Sequence, residues 1–150
     1  MLLASDDTIK ICDFGWAVDY KDNSIRNTLC GTPEYVPPEM IVFNSSGVVQ
    51  SRTYDAKYVD IWALGVLTYE LIRGKTMFCS TGKKKFSMEK HDIFTKISSF
   101  CDDSFTSTDF QKCDVLFFQF VKDLVKKNPT SRLNINEILM HEWFSKKGLL

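Results

Sequence analysis

Apolar residues along the chain fall into three stretches with helical spacing and one short alternating run. From Val59 to Ile72 they occupy nearly every face (Ile61, Trp62, Leu64, Val66, Leu67, Tyr69 and Leu71), and Gly74 stands where a left-handed residue would end a helix. A helix apolar all round must be covered all round. From Asp114 to Lys127, Leu116, Phe120 and Leu124 make one row with Phe117, Val121 and Val125 beside it, which predicts an amphipathic helix stopping at Lys126-Lys127-Asn128-Pro129. Asn134, with Glu137 three residues on, has the form of a capping box. It opens one last short helix whose apolar face is Ile135, Ile138, Leu139 and Trp143. Near the start, Ile9 and Ile11 alternate after the turn residues Asp6-Asp7, so Thr8 to Cys12 is read as a short strand closing a hairpin with a partner just upstream.

Phe43 to Arg52, rich in Ser, Gly, Val and Gln, and Cys79 to Lys90, with Gly82 and the solvated run Lys83-Lys84-Lys85, are read as surface insertions near 43–52 and 79–90. Asp13 to Pro38 keeps neither period. A patternless stretch of that length inside a compact domain is usually functional, so the chemistry is sought there.

Composition narrows the classes. A length of 150 residues with 44% hydrophobic content suits one domain with a real core and excludes disorder. Nineteen basic and nineteen acidic side chains leave a formal charge of zero, so no basic field draws in nucleic acid. Five cysteines without a CxxC pair suggest neither a disulfide framework nor a zinc site, and a reducing compartment fits. Met1-Leu2-Leu3-Ala4 runs straight into Ser5-Asp6-Asp7 without the form of a signal peptide, so the expected location is cytoplasmic or nuclear. No membrane association is expected, because the Val59–Ile72 run is shorter than the roughly 20 residues of a bilayer span and carries Asp60 and Glu70. His91 and His141 have no partner at metal or catalytic spacing and are read as structural or solvated.

Asp13-Phe14-Gly15 follows the strand. A carboxylate there can hold magnesium, a Phe can anchor the turn in the core, and a Gly lets the backbone reverse, although the triplet alone is equally an ordinary turn. Three more motifs follow in order: Gly31-Thr32-Pro33-Glu34-Tyr35-Val36-Pro37-Pro38-Glu39, Asp60-Ile61-Trp62-Ala63-Leu64-Gly65, and Asn128-Pro129-Thr130-Ser131-Arg132. Together they resemble the C-terminal part of a eukaryotic protein kinase over nearly the whole chain apart from the two insertions. Trp16 after Asp-Phe-Gly, the Thr28-Leu29-Cys30-Gly31-Thr32 run and Pro37-Pro38-Glu39-Met40 resemble the Aurora branch of serine/threonine kinases. Pro33-Glu34 is the form general to kinases, and the insertion after Met40 is longer than that branch leads one to expect.

The resemblance implies a mainly α fold: a truncated kinase C-terminal lobe with a short β-hairpin remnant at its N-terminus and no N-lobe. Residues 1–150 would form a partial kinase domain, with an activation segment over 13–39 and a helical subdomain over 40–150. It implies that Asp13 binds the Mg2+ bridging the ATP phosphates, and that Thr28, two residues after Arg26, is the phosphosite. Leu29, Cys30, Gly31, Thr32, Pro33, Glu34 and Tyr35 would form the substrate loop, with Thr32 facing the catalytic carboxylate; before a proline, Thr32 reads equally as turn chemistry. Glu39 and Arg132 would form a buried ion pair, Asp60 would accept bonds from catalytic-loop amides, and Phe14, Gly15, Trp62 and Gly65 would be structural. Partners would be protein substrates with a Ser/Thr acceptor and an activator protein, and the location the spindle or centrosome.

No Gly-x-Gly-x-x-Gly and no His-Arg-Asp occurs in these residues, so the resemblance brings no catalytic base with it. The chain is expected to begin one step after the catalytic loop. Two functions follow: phosphoryl transfer from ATP to proteins when the upstream half is present, with the 150 residues inactive alone, or a catalytically dead binding or docking module. The same reading expects Trp62, Val66 and Tyr69 to lack part of their cover, making the chain a poor autonomous folder, and the segment from Asp19 to Cys30 to stay mobile.

Overall fold

The structure, a computed structural model, describes residues 1–19, 24–47, 49–78, 90–104 and 114–146. The architecture is helical around one central post. Helix α1, Val59–Arg73, occupies the long apolar run and ends on Gly74, whose left-handed φ of 64° lets its amide reach the Glu70 carbonyl. Trp62 and Val66 are fully buried and Tyr69 is nearly so. The expectation that these three lack cover is therefore overturned: Phe78 stacks on Trp62 at 5.8 Å and Phe100 meets it edge-on at 5.6 Å. Both rings come from segments with no pattern long enough to be read as elements. The large apolar side chains that α1 leaves in water are Leu71 and Ile72 at its far end, 74% and 52% exposed.

Gly65 sets how closely the helices approach. A Cβ built there would lie 2.5 Å from Val125 Cγ1 and 2.9 Å from Leu124 Cβ, so only glycine admits the end of the predicted amphipathic helix against α1. That partner helix is shorter than its apolar pattern. Among the described elements, α2 runs from Lys90 to Ser99 and α3 from Val115 to Leu124, with the Asp114 carboxylate capping the Leu116 amide at 2.8 Å. Helix α2 was not anticipated, although Ile93, Phe94 and Ile97 share one buried face; ten residues beside a lysine-rich stretch gave too short a period to register.

Two further readings change. The single last helix is two, α4 (Ile135–Leu139) and α5 (Glu142–Lys146), separated by Met140 and His141. The capping box is present, with Asn134 accepting from the Asn136 and Glu137 amides and Glu137 from the Asn134 amide at 2.7 Å. Of the predicted face only Ile138 is buried, while Ile135 and Leu139 are exposed. The His141 ring breaks the helix by taking the Trp143 amide on Nδ1 at 3.2 Å, which turns Trp143 and Phe144 onto Phe120.

The stretch near 43–52 is a hairpin rather than a featureless insertion. Strand β4 (Ile41–Phe43) pairs antiparallel with β5 (Val49–Ser51), and the Asn44 carboxamide caps the Ser46 amide in the turn. His91 of α2 meets this hairpin through its Nε2, 3.1 Å from the Gly47 carbonyl, so both histidines have structural partners. The insertion near 79–90 lies outside the described residues except for Lys90, which begins α2.

At the N-terminus β1 (Leu2–Leu3) and β2 (Ile9–Lys10) form the expected hairpin, closed by Asp6 accepting the Thr8 amide and hydroxyl. A third ladder joins β3 (Ile25–Arg26) to β6 (Tyr54–Asp55). The main core gathers Met40, Trp62, Val66, Phe94, Ile97 and Val121, and a smaller cluster of Phe120, Leu124 and Ile138 closes the α3–α4 side.

Candidate functional site

Residues 31–40 fold as two tight turns, Pro33–Tyr35 and Pro38–Met40, each opened by a proline whose missing N–H is not needed there. Gly31 enters with φ 98°, a left-handed conformation that a Cβ would strain. Thr32 is exposed, and its carbonyl, not its hydroxyl, closes the first turn by accepting the Tyr35 amide at 3.0 Å. The hydroxyl is thus left for other chemistry. Val36 and Pro37 are buried behind it and Met40 fills the core, so one edge of the loop is anchored while Gly31 and Thr32 face water.

Tyr35 ties the loop to the central post by donating its hydroxyl to the Glu70 carboxylate of α1. Burial, and then the bond and charge of Glu70, push the phenol from 10.0 up to about 12. The proton stays longer on the folded chain, so this contribution to stability is complete below pH 10.0 and is lost as pH rises toward about 12. In melts across that window, Tyr35→Phe is expected to flatten the alkaline fall relative to the parent chain; an unchanged slope would show that Tyr35 does not contribute to it.

The strongest polar contact lies behind the second turn. Arg132 places Nη1 and Nη2 each 2.6 Å from the two Glu39 carboxylate oxygens, a bidentate fork, and donates further to the Tyr58 carbonyl at 2.9 Å and the Lys126 carbonyl at 2.9 Å. Its side chain is wholly buried, and the guanidinium lies 5.0 Å over the Trp62 ring. The turn Pro129–Ser131, capped by the Asn128 carboxamide on the Thr130 amide, delivers Arg132 to this position. Three separate motifs therefore meet at one point: Glu39 of the proline-rich loop, Trp62 of α1 and Arg132 after Asn-Pro.

Upstream, Thr28 is exposed, whereas Leu29 and Cys30 pack partly against the core. The β3–β6 ladder precedes it, the Ala56 amide reaches the Ser24 carbonyl at 2.8 Å, and the Tyr54 hydroxyl donates to the Thr28 carbonyl at 2.8 Å. Burial, then the nearby Cys30 thiol, raise the Tyr54 phenol. Burial would raise Asp55, but bonds from the Ser24 hydroxyl and the Lys57 amide, with the Lys57 ammonium at 3.2 Å, hold it below the usual range. Residues 24–28 are thus joined to residues 54–56, contacts that were not anticipated for the span from Asp19 to Cys30; residues 20–23 lie outside the described ones.

Asp13-Phe14-Gly15 stands apart. All three are exposed, and Phe14, at 67%, does not anchor the turn in the core as expected. Residues 11–19 are exposed throughout, and among the described residues no wall receives the ring. Asp13 sits at φ 62°, uncommon for a residue with a side chain, and its carboxylate faces the Gly15 amide at 3.4 Å. It offers one carboxylate, the hard ligand of which magnesium takes one or two beside substrate phosphates. No group of three or more metal-binding side chains occurs among the described residues. Asp60 is exposed in the first turn of α1, and Trp62 and Gly65 are core. The sequence reading did not single out Glu70 and Tyr54: each is a polar position inside an apolar or loop context, and only its distant partner reveals its use.

Comparison with known proteins agrees with this arrangement. The model of the protein kinase domain matches residues 1–144. Aurora kinase A-B of Xenopus laevis is 36% identical over 99% of this chain, which covers 31% of that protein. The Aurora kinase of Patiria pectinifera is 36% identical over 98% of the chain, covering 31% of that protein, and that of Encephalitozoon cuniculi 36% over 97%, covering 46%. A solved structure of titin kinase with its flanking domains superposes over 83% of this chain and 20% of that one, with a TM-score of 0.55 at 23% identity, a likeness of fold. The chain thus spans 31% to 46% of the length of these curated relatives. On the family match and the motifs that its fold joins, the chain belongs to the protein kinase domain family and is Aurora-like in sequence.

Proposed function

We propose that the chain carries the activation segment, residues 13–39, and the helical subdomain, 40–150, of an Aurora-like serine/threonine kinase that moves the γ-phosphoryl group of ATP to Ser or Thr hydroxyls of protein substrates. The observation that carries this reading is the Glu39–Arg132 fork: a bidentate ion pair, with the Arg132 side chain buried, that fixes the loop of residues 29–39 to the helical core. In such an enzyme positioning is most of catalysis, since the reacting phosphoryl needs alignment more than covalent chemistry. Leu29 to Tyr35 would receive the peptide beside its acceptor, with the free Thr32 hydroxyl oriented toward the reacting centre. Asp13 would hold Mg2+ as one carboxylate ligand. Bound magnesium and ATP would supply the phosphoryl group and neutralise its charge. Thr28 would be the regulatory phosphate acceptor, and an activator protein and a spindle or centrosome location fit the Aurora resemblance.

These 150 residues hold no His-Arg-Asp and no Gly-x-Gly-x-x-Gly, so alone they are expected not to transfer phosphate. The test joins the upstream kinase half of Xenopus laevis Aurora kinase A-B to residues 1–150 and follows radiolabelled phosphate into a generic Ser/Thr peptide. Transfer by the chimaera, lowered about a hundredfold or more by Asp13→Ala, is expected, against none from the 150 residues. A folded chimaera that binds ATP and transfers nothing would sink the enzymatic reading. It would favour the second one, a docking module, which draws support from the closure of the core around Trp62, Val66 and Tyr69 within this chain.

A further inference from the structure

Phosphorylation sites on flexible loops commonly gain order only when the phosphate finds cationic partners. Here the segment around Thr28 has contacts of another kind. Arg26 turns its guanidinium to backbone carbonyls, Nη1 to Ile25 at 2.8 Å and Nη2 to Asp19 at 3.4 Å. The contacts made to the segment come instead from residues 54–56, immediately before α1. Ile25 pairs with Asp55 and Arg26 with Tyr54, Ala56 donates to Ser24, and the Tyr54 hydroxyl reaches past the ladder to the Thr28 carbonyl. Tyr54 is itself 8% exposed and belongs to the main core, so its ring is fixed and its hydroxyl has little freedom to seek another partner. The bond grips the backbone of Thr28 and leaves its side chain exposed.

We propose that Tyr54 is a positioning residue of the activation segment: it holds the Thr28 carbonyl so that residues 24–30 are ordered, and the Thr28 hydroxyl presented to solvent, before any phosphate is added. The proposal rests on the reading of Thr28 as a phosphate acceptor. Asp55 is the second anchor, since its backbone pairs with Ile25 and its carboxylate accepts from the Ser24 hydroxyl. Leu29 and Cys30 then enter the core at a fixed register, which sets where the substrate loop begins.

Segment-resolved hydrogen exchange on the unphosphorylated 150-residue chain tests this. Tyr54→Phe keeps the ring and removes only the hydroxyl; amides of residues 24–30 are expected to exchange about two- to tenfold faster, while those of α1 and α3 keep the parent's rates. Thr28→Ala keeps the carbonyl and is expected to leave protection of 24–30 intact. Asp55→Ala, at the other anchor, should loosen the same segment and serves if Tyr54→Phe does not fold. The proposal is overturned if residues 24–30 gain protection only after Thr28 is phosphorylated, if Thr28→Ala loosens them as much as Tyr54→Phe, or if the Tyr54→Phe change spreads equally over α1 and α3. Incubation with an active Aurora kinase judges the underlying reading separately: a Thr28 left unmodified overturns its role as acceptor, whatever the exchange rates are.

Discussion

An Arg132→Ala chain is expected to lose about 3 to 5 kcal/mol of stability, a large part of the roughly 5 to 15 kcal/mol that holds a typical domain folded. The estimate follows from what the substitution leaves behind. Glu39 keeps a carboxylate only 13% exposed and loses both fork bonds, while the Tyr58 and Lys126 carbonyls each lose a donor. The guanidinium also leaves the face of Trp62. Arg132→Lys is expected to recover little, because an ammonium cannot fork onto two oxygens while serving two carbonyls and stacking on a ring. Urea unfolding followed by tryptophan fluorescence reads the loss. Two variants within about 1 kcal/mol of the parent would place this pair with the exposed ion pairs that contribute little.

How much of this was legible in the sequence follows from the range of each signal. Helix α1 was readable because its apolar residues form one long, nearly unbroken run, and Gly74 marks its end. The capping box was readable because its two residues are three apart. Helix α2 was missed because its buried face comprises three residues. The split between α4 and α5 was missed because it depends on where His141 places one nitrogen. Glu39 and Arg132, 93 residues apart, were paired through the family resemblance; residue spacing holds no information at that range. Tyr35–Glu70 and Tyr54–Thr28 had no such guide, since a tyrosine in an apolar context reads as core and its hydroxyl's partner is set by tertiary packing. Phe14 failed for the opposite reason: the motif suggests burial, but residues 11–19 of this chain are all exposed.

Trp62 is where the core and the ion pair share one side chain, and its replacement by alanine is expected to cost about 3 to 5 kcal/mol. The ring is fully buried between Phe78, Phe100 and the Arg132 guanidinium, so alanine opens a cavity lined on three sides and removes the surface on which the cation rests. Phenylalanine should behave differently. Among the described residues the indole Nε1 has no hydrogen-bond partner, and a buried donor left unpaired costs about 1 to 3 kcal/mol. Trp62→Phe deletes that donor while keeping an aromatic face for Phe78 and Arg132, so the loss of volume is partly offset and the variant is expected to cost less than half as much as Trp62→Ala. The cycle with Arg132→Ala should give a clear coupling energy for Trp62→Ala, which removes the ring beneath the cation, and little for Trp62→Phe, which keeps a ring there. Chemical denaturation of the single and double variants supplies the cycle. Equal losses for the Phe and Ala variants would overturn this account: the stability at this position would then rest on a contact that the indole alone makes, and neither the retained ring nor removal of the unpaired N–H would offset its loss.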